Sequence, residues 1–417
     1  MDKDDIDEVE EHNATRFIWS NGLQNIGDQI VAAKTVLPWI LHAAGAPGFL
    51  IGLLVPIRES GSMLPQAAIT QWVLGRSSRS RVWIIGSTGQ FISALGIGLV
   101  ALMLEGWALG VSVVLLLGLL ALFRSMCSIS SKDVQGKTIS KGRRGLINGR
   151  ATVIGGIVGL LVGLLVTFFL DEDSPTWILA ATIILSSFSW LLASFIFARI
   201  REPEPEDADG PSDSPQDENH WLASCFLLLR DDRNFRNFVI VRSLMLVTAL
   251  STAFIVTLAA ASGQDIGALG FFLIASGLAS VVGGRISGIW SDRSSRNVMA
   301  GGALFGSLVL IALVACSYWA PDTVNVVAFP VGFFLVNLAH TAIRVARKTY
   351  VVDMAEGDQR TRYVADANTL MGVILLVVGA LSGVVSTLGP EFALLFLAGT
   401  GLVGVAFSRT LVEVSAQ

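Results

Sequence analysis

Residues 288–296 read GIWSDRSSR, a basic turn that lies between two long apolar runs. An echo of this turn, WVLGRSSR, occupies residues 72–79 and also lies between apolar runs. The two copies are offset by 217 positions. A turn that returns at a fixed offset in equivalent surroundings indicates that the chain contains a duplicated unit.

Composition identifies the apolar runs as membrane spans. Of the 417 residues, 53% are hydrophobic and 15% are charged, whereas a soluble protein carries about a quarter charged residues. The runs reach about 20 residues or more, which is the length that crosses the hydrocarbon core of a bilayer. We therefore predict an all-α polytopic membrane protein with twelve transmembrane helices. The predicted spans are residues 17–44, 47–75, 83–104, 107–131, 149–170, 176–198, 237–261, 266–290, 298–318, 324–346, 364–388 and 391–408.

The charges of the loops orient these spans. The turns after the even-numbered spans hold 21 Lys and Arg residues, and the turns after the odd-numbered spans hold none. The positive-inside rule then predicts that both termini and the long linker are cytoplasmic. The acidic N-terminus lacks the basic and apolar segments of a signal peptide. We expect a multi-pass protein of a bacterial inner (plasma) membrane.

The linker divides the spans into two groups of six. We predict an acidic cytoplasmic tail at residues 1–16, a six-helix bundle at 17–198, a cytoplasmic linker at 199–236, a second six-helix bundle at 237–410 and a short cytoplasmic tail at 411–417. The acidic tracts in the N-terminus and the linker are typical of solvated, disordered segments. The apolar and basic end of the linker predicts a helix that lies along the membrane surface.

Three residues of the first half recur in the second half at an offset of 220 positions. Each triplet runs from the end of the fourth span of its half to the start of the fifth span. Together with the echoed turn, this recurrence predicts two bundles related by a pseudo-two-fold axis. The residues are Arg124, Asp133 and Asn148 in the first half and Arg344, Asp353 and Asn368 in the second half.

The second span contains an unusual polar stretch, VPIRESGSMLP at residues 55–65. Arg58 and Glu59 lie at about the same depth as Lys34 of the first span, and Arg58 can reach Asp28. A charge at this depth costs at least ~2.5–3.5 kcal/mol unless it is neutralised or hydrated. The prolines and the glycine of the stretch interrupt helical hydrogen bonds, which is tolerated where the backbone is packed in protein or lines a cavity. We predict that Arg58 and Glu59 face Asp28 and Lys34 in the wall of a central cavity.

The first span carries a stripe of polar side chains. Asn21, Gln24, Asn25 and Asp28 share one helix face, and such side chains within a membrane face protein or water. The amides either hold helices together or contact a ligand. A buried carboxylate takes up a proton when its ion pair is disrupted, so Asp28 and Glu59 are candidate proton carriers. The alternative is a static ion-pair network that maintains helix packing.

Two more basic residues belong to the candidate site. Arg124 lies toward the inner end of the fourth span, where it either joins the site or snorkels to the cytoplasm. His340 shares one face of the tenth span with Asn337 and Arg344 and either titrates near neutral pH or serves as a hydrogen-bonded structural residue. Arg242 is interpreted as an interfacial anchor. The predicted substrate- and proton-coupling residues are Gln24, Asn25, Asp28, Lys34, Arg58, Glu59, Arg124 and His340.

The turn at 288–296 has the pattern G-x-x-x-D-R-x-x-R, whereas in the first copy Gly75 stands at the acidic position. Twelve spans in two groups of six, a long linker and this signature resemble the major facilitator superfamily. The resemblance implies that family's fold, secondary transport by alternating access, and a turn that latches the cytoplasmic side closed. The predicted gating residues are Gly288, Asp292, Arg293, Arg296, Arg76 and Arg79.

These observations predict a secondary active transporter that moves a small solute and is coupled to protons. The mixed charges of the site argue against a purely cationic solute and favour a zwitterion, an anion or an amphiphile. Arg124 is similar in position to an arginine of proton-coupled exporters in the superfamily, so export of drugs or amphiphiles is an alternative. A ligand sensor with a transporter-like fold is a second alternative.

Other classes of function find little support. No nucleophile and base face one another, so we do not expect an enzyme. The three cysteines and four histidines have no metal-ligand spacing, and no ATP-binding glycine-rich motif occurs. We expect no cofactor beyond a gradient of protons or other ions. The expected partners are membrane lipids and a small-molecule substrate, with no nucleic acid, and the chain is expected to be a monomer.

Overall fold

The computed structural model describes residues 3–64, 78–140, 143–169, 175, 177–202, 228–264, 266–291, 294–354 and 357–412. Within this part of the chain, all regular structure is helical. The α-helices are α1 Lys3–Ile30, α2 Val36–Ala43, α3 Gly48–Ser60, α4 Arg79–Met103, α5 Gly106–Thr138, α6 Arg144–Phe169, α7 Trp177–Phe197, α8 Arg233–Leu244, α9 Val247–Ala261, α10 Ile266–Ser291, α11 Ser295–Trp319, α12 Asp322–Asp353, α13 Gly357–Val385 and α14 Pro390–Phe407.

The lengths of these helices suit a membrane protein. Among the described residues, nine helical segments are long and apolar enough to cross a bilayer. The other three predicted spans overlap with α1 and α2, with α3, and with α10. Residues 65–75 of the second predicted span lie outside the described residues. The chain is therefore a multi-pass integral membrane protein, while the count of twelve spans stays a prediction.

The first and seventh spans are each interrupted, which the sequence analysis did not anticipate. A turn at residues 31–35 separates α1 from α2, and residues 245–246 separate α8 from α9. In the first span, Pro38 supplies the physical reason, because it has no N–H to donate to the carbonyl of Lys34 and its ring clashes with a carbonyl at that position. Irregular backbone at membrane depth is tolerated where it is packed in protein or lines a cavity.

The helices form two groups that meet along two matching interfaces. The main contacts between the halves are α3 with α13 and α6 with α10. These are the second span with the eleventh and the fifth span with the eighth. Each span of the first half has its counterpart six spans later in the second half. Replacing the spans of one interface by their counterparts gives the other interface, as expected for a duplicated six-helix unit.

The hydrophobic core shows where the halves are joined. We call the face that carries Phe17, Ile200 and Leu411 the terminal face and the opposite face the far face. Toward the far face, one core cluster contains residues of both halves, such as Leu37 and Phe254. Toward the terminal face, each half has its own cluster among the described residues. The halves therefore share a core only on the far side of the part of the molecule that the structure describes.

Close backbone contact seals the far half of one interface. A Cβ added to Gly52 of α3 would lie 2.6 Å from the Cα of Gly383 of α13. A Cβ on Gly379 would clash with the ring of Pro56. Glycine at these positions lets the two backbones approach closely, as is common where membrane helices pack tightly.

The acidic N-terminal stretch differs from its expected disorder. Helix α1 begins at Lys3 and continues without interruption into the first span. The carboxylate of Glu10 accepts a hydrogen bond from Ser140 Oγ at 2.8 Å and lies 3.4 Å from Arg143. These contacts attach the stretch to the loop that follows α5. The segment predicted to lie along the membrane is residues 219–238, of which 219–227 lie outside the described residues. The rest is helical, at 228–231 and at the start of α8.

Candidate functional site

A cavity of about 650 Å³ lies between the two halves, within the usual range for small-molecule sites. Its wall contains seven of the eight predicted coupling residues, and the eighth, Gln24, is buried beside it. A second cavity of about 470 Å³ near the far face has Asp322 as its one ionisable lining residue among those described. The coupling residues in the wall of the central cavity are Asn25, Asp28, Lys34, Arg58, Glu59, Arg124 and His340.

Asp28, in the last turn of α1, is the centre of the charge network. Its Oδ1 accepts a hydrogen bond from Arg58 at 2.5 Å, and its Oδ2 lies 2.7 Å from Arg124. Arg124 also donates to Oε1 of Gln24 at 2.7 Å. The predicted approach of Arg58 to Asp28 is confirmed. Arg124 binds residues of the first span and lines the central cavity.

Lys34 and Glu59 form a looser pair. The Lys34 Nζ lies 3.7 Å from Oε1 of Glu59, and both side chains are about one-quarter to one-third exposed (26% and 34%). Lys34 lies in the turn between α1 and α2, and Glu59 lies in the last turn of α3 beyond Pro56. Broken helical geometry thus presents both charges to the cavity, and the predicted pairing is confirmed.

The second half contributes the opposite wall through α12. Asn337, His340 and Arg344 all line the cavity, in agreement with their predicted common face. The His340 Nδ1 lies 3.4 Å from the hydroxyl of Thr248 on α9. Arg344 is exposed to the cavity and makes no hydrogen bond or ion pair with any residue that the structure describes. The two walls therefore differ, because the charges of the first half are paired and Arg344 is not.

Two polar residues that the sequence analysis did not single out connect the halves. Ser276 Oγ of α10 donates to Oε1 of Gln29 at 3.1 Å, and both residues line the cavity. Gln29 directly follows Asp28, so its place in a polar segment of a membrane span was an available signal. Ser276 had none, because a lone serine in an apolar span is common.

Arg242 was wrongly interpreted as an interfacial anchor. It is only 6% exposed, and it donates to the side-chain oxygen of Asn368 on α13 at 3.2 Å. Its guanidinium carbon lies 5.9 Å from the ring centroid of Phe238, which is within the range of a cation–π contact. Arg242 therefore belongs to the interior of the second half.

Only part of the predicted gating set can be located. Arg79 donates from Nε to Oδ2 of Asp133 at 3.2 Å, and Lys137 lies 2.9 Å from the same oxygen. Arg296 donates to the backbone carbonyl of Leu411 at 3.2 Å. The Arg79–Asp133 contact joins α4 to α5, and the Arg296–Leu411 contact joins α11 to the segment after α14, so each contact lies within one half. Arg76, Asp292 and Arg293 lie outside the described residues, and for Gly288 only its place in α10 is described.

The serines of the two echoed turns have a structural role. Ser78 accepts a hydrogen bond from the backbone N–H of Arg81 at the start of α4. Ser294 accepts one from Asn297 at the start of α11. Serine at the N-cap satisfies an otherwise unpaired N–H of the first turn. The RSSR echo thus starts the third span of each half.

No family model matches the chain, and no curated protein matches it by sequence. Solved structures match over almost the whole chain. A D-xylose-proton symporter superposes with a TM-score of 0.72 at 14% identity, covering 96% of this chain and 98% of that chain.

Two further solved structures have a similar fold. A single-residue variant of the nucleoside transporter NupG gives a TM-score of 0.71 at 12% identity, covering 95% of this chain and 99% of that chain. A POT family transporter in complex with a thioalcohol-conjugated peptide gives 0.71 at 9% identity and 95% coverage of both chains. The chain has the fold of the major facilitator superfamily. At these identities the likeness is one of fold, and it does not identify a substrate.

Proposed function

We propose that the protein is a secondary active transporter that moves a small solute by alternating access and couples this movement to protons through Glu59 and Asp28. The observation that carries the proposal is the cluster of acidic and basic side chains around a cavity between the two bundles. Static packing does not require such side chains around a cavity, whereas a binding and coupling site does. The transporter neighbours favour this function over an enzyme.

The distribution of the buried hydrophobic clusters between the two faces supports an inward-facing state. The halves share a core toward the far face, and their described terminal-face cores are separate. With the orientation that the loop charges predict, the terminal face is cytoplasmic. Rocking of the bundles along the α3–α13 and α6–α10 interfaces would close that side and open the other. We propose a monomer in a bacterial inner membrane with both termini in the cytoplasm.

Glu59 is the better proton carrier of the two acids. Asp28 is held by two guanidinium groups at 2.5 and 2.7 Å, whereas Glu59 has one ammonium contact at 3.7 Å. The cations that act on Glu59 are Lys34, Arg344, Arg347 and Arg58. Lys34 lies in the turn between α1 and α2, and Glu59 lies in α3, so a small shift of one element relative to the other separates them. The released carboxylate then binds a proton, since an unpaired buried charge is unfavourable.

Replacing Glu59 by Gln tests this proposal. Purified protein is placed in liposomes that contain a pH-sensitive dye, and gradients of a pentose, a nucleoside, a dipeptide and a dicarboxylate are applied in turn. We expect one solute class to drive a change of lumenal pH, reduced about tenfold or more in Glu59→Gln. Solute-for-solute exchange should persist in that variant, because exchange requires no net proton movement.

The matched control is Glu391→Gln, since Glu391 lies outside the cavity beside Tyr318. It should retain the pH change. If Glu59→Gln and Glu391→Gln both keep proton movement, the charges around Glu59 are structural. If a solute is transported without any pH change, proton coupling is wrong and the transporter proposal stands.

A further inference from the structure

The wall of the central cavity has a surplus of positive charge. Among its described lining residues, Asp28 and Glu59 are the acids, and there are four bases. With His340 neutral, the lining carries two more positive than negative charges. The four bases are Lys34, Arg58, Arg124 and Arg344.

The surplus is concentrated on the second half. In the first half, both carboxylates have basic partners within 4 Å. In the second half, Arg344 has no ion pair with a described residue, and Nε of Arg347 is buried without a hydrogen-bond partner. Arg242, deeper in the same bundle, donates to the neutral amide of Asn368, and its Nε is also unpaired among the described atoms. The three guanidinium groups are electrostatic neighbours, since Arg347 acts on both Arg242 and Arg344. The described acid that acts on Arg344 and Arg347 is Glu59, which Lys34 already contacts.

Such a cluster is unfavourable unless another negative charge is present. Like charges in a partly desolvated site repel one another, and each unpaired buried charge loses hydration. Guanidinium groups match the planar oxygen pairs of carboxylates and phosphates with two parallel hydrogen bonds. Neutral donors and acceptors, including Asn25, Asn337 and Ser276, line the rest of the cavity. They suit the uncharged part of a small polar molecule.

We infer that the cavity binds a small organic anion with two negative charges on carboxylate or phosphate groups, held between Lys34 of the first half and Arg344 of the second half. This inference rests on the proposed function, because it names the substrate class of the same site. Two negative charges neutralise the surplus of the lining. An anion on Lys34 also weakens the Lys34–Glu59 pair and releases Glu59 to take up a proton. Anion binding and proton uptake are thereby linked through one ammonium group.

Thermal unfolding of the purified full chain tests the charge preference. The probes are succinate, its neutral diamide succinamide and the dication putrescine, all with four-carbon chains, together with glucose 6-phosphate and glucose. Ionic strength is matched throughout. We expect succinate or glucose 6-phosphate to raise the melting temperature saturably, because a ligand that binds only the folded state stabilises it. The two anions distinguish carboxylate from phosphate recognition.

Variants of Arg344 locate the effect. Arg344→Gln should weaken anion binding about tenfold or more. Arg344→Lys should lose less affinity for the anion, because it keeps the positive charge. Arg81→Gln is the matched control, since Arg81 is exposed at the start of α4, outside the cavity. It should bind the anion like the wild type. If neither anion stabilises the protein, or if putrescine or a neutral probe does so in their place, the inference is wrong.

A ligand-free measurement provides an independent check. Without an anion, Arg344→Gln should not lower the melting temperature, because the repulsion of Lys34 and Arg347 that it removes offsets the attraction to Glu59 that it loses. Arg81→Gln should also leave it unchanged. A lower melting temperature for Arg344→Gln would mean that Arg344 has a stabilising partner, and the inference would fail.

Transport assays separate this inference from the proposed function. If an anion binds through Arg344 but is not moved across the liposome membrane, the site stands and the transporter proposal fails. If a neutral or cationic solute is moved with proton flux that Glu59→Gln abolishes, the transporter stands and the anion inference fails.

Discussion

At the residue scale, Asp28 shows which contacts can be predicted from the depth of residues in the membrane and which cannot. The first two spans are joined by a short turn, so residues equally far from that turn lie at similar depth. Equal depth placed Glu59 near Lys34, and the reach of the Arg58 side chain placed it near Asp28. Both pairs are present, at 3.7 and 2.5 Å. Depth did not predict the contact of Arg124 with Asp28 at 2.7 Å, because lateral neighbours in a bundle depend on how distant spans pack.

The shared carboxylate gives an ordered prediction for stability. Asp28→Asn leaves two guanidinium groups without a counter-charge, whereas Arg124→Gln leaves Asp28 paired with Arg58. A hydrogen bond to a charged group contributes about 1.5–3 kcal/mol. Asp28→Asn weakens two such contacts and Arg124→Gln weakens one of them, so we expect the melting temperature in detergent to fall furthest for Asp28→Asn. Asp322→Asn, at an exposed acid that starts α12, should change it little. An Asp28→Asn protein as stable as Arg124→Gln would contradict the shared-carboxylate account.

At the element scale, the two interrupted spans show how irregular helices shape the cavity. The turn at residues 31–35 brings Lys34 into the cavity wall, and the end of α3 does the same for Glu59. The prolines and glycine of residues 55–65 signalled an irregular second span in advance. The interruption at residues 245–246 has no proline or glycine within it, so no local signal announced it, and tertiary packing decides it.

The α3–α13 contact makes a second prediction. In Gly52→Ala, the new methyl group would lie 2.6 Å from the Cα of Gly383, so the two backbones must separate. Overpacking of this kind costs about 1–3 kcal/mol, and we expect a lower melting temperature. Gly399→Ala is the matched control, because nothing described lies within 4 Å of its added Cβ and alanine favours helix. Equal stability of the two variants would show that α3 and α13 approach less closely than the Gly52–Gly383 contact indicates.

At the scale of the whole molecule, the far face joins the two halves. The duplication predicted from the echoed turn and the 220-residue recurrence agrees with the matching α3–α13 and α6–α10 interfaces. The latch implied by the family resemblance concerns the cytoplasmic side, and the sequence did not predict that the halves are joined at the far face. Which face is closed depends on which apolar surfaces of the two bundles touch. The apolar pattern of a span is compatible with closure at the far face or at the terminal face.

A cross-link across the far face tests the need for rocking. A Cβ on Gly48 would lie 3.0 Å from the hydroxyl of Ser386, so the double variant Gly48→Cys with Ser386→Cys should form a disulfide under oxidation. We expect oxidation to abolish transport and reduction to restore it, since the far face can no longer open. Each single variant serves as a control and should transport under both conditions. Continued transport by the oxidised, mass-verified double variant would contradict alternating access.

The sequence by itself determined the membrane class, and it predicted two six-span groups and a similar depth for the charged residues. These follow from local quantities, namely hydropathy, loop charge and distance along the chain from a turn. Only the tertiary structure decided which charges touch, that Arg242 is buried, that Arg344 lacks a described partner, and that the halves join at the far face. Such properties depend on lateral contacts between helices far apart in sequence, and one-dimensional spacing along the chain carries no information about them.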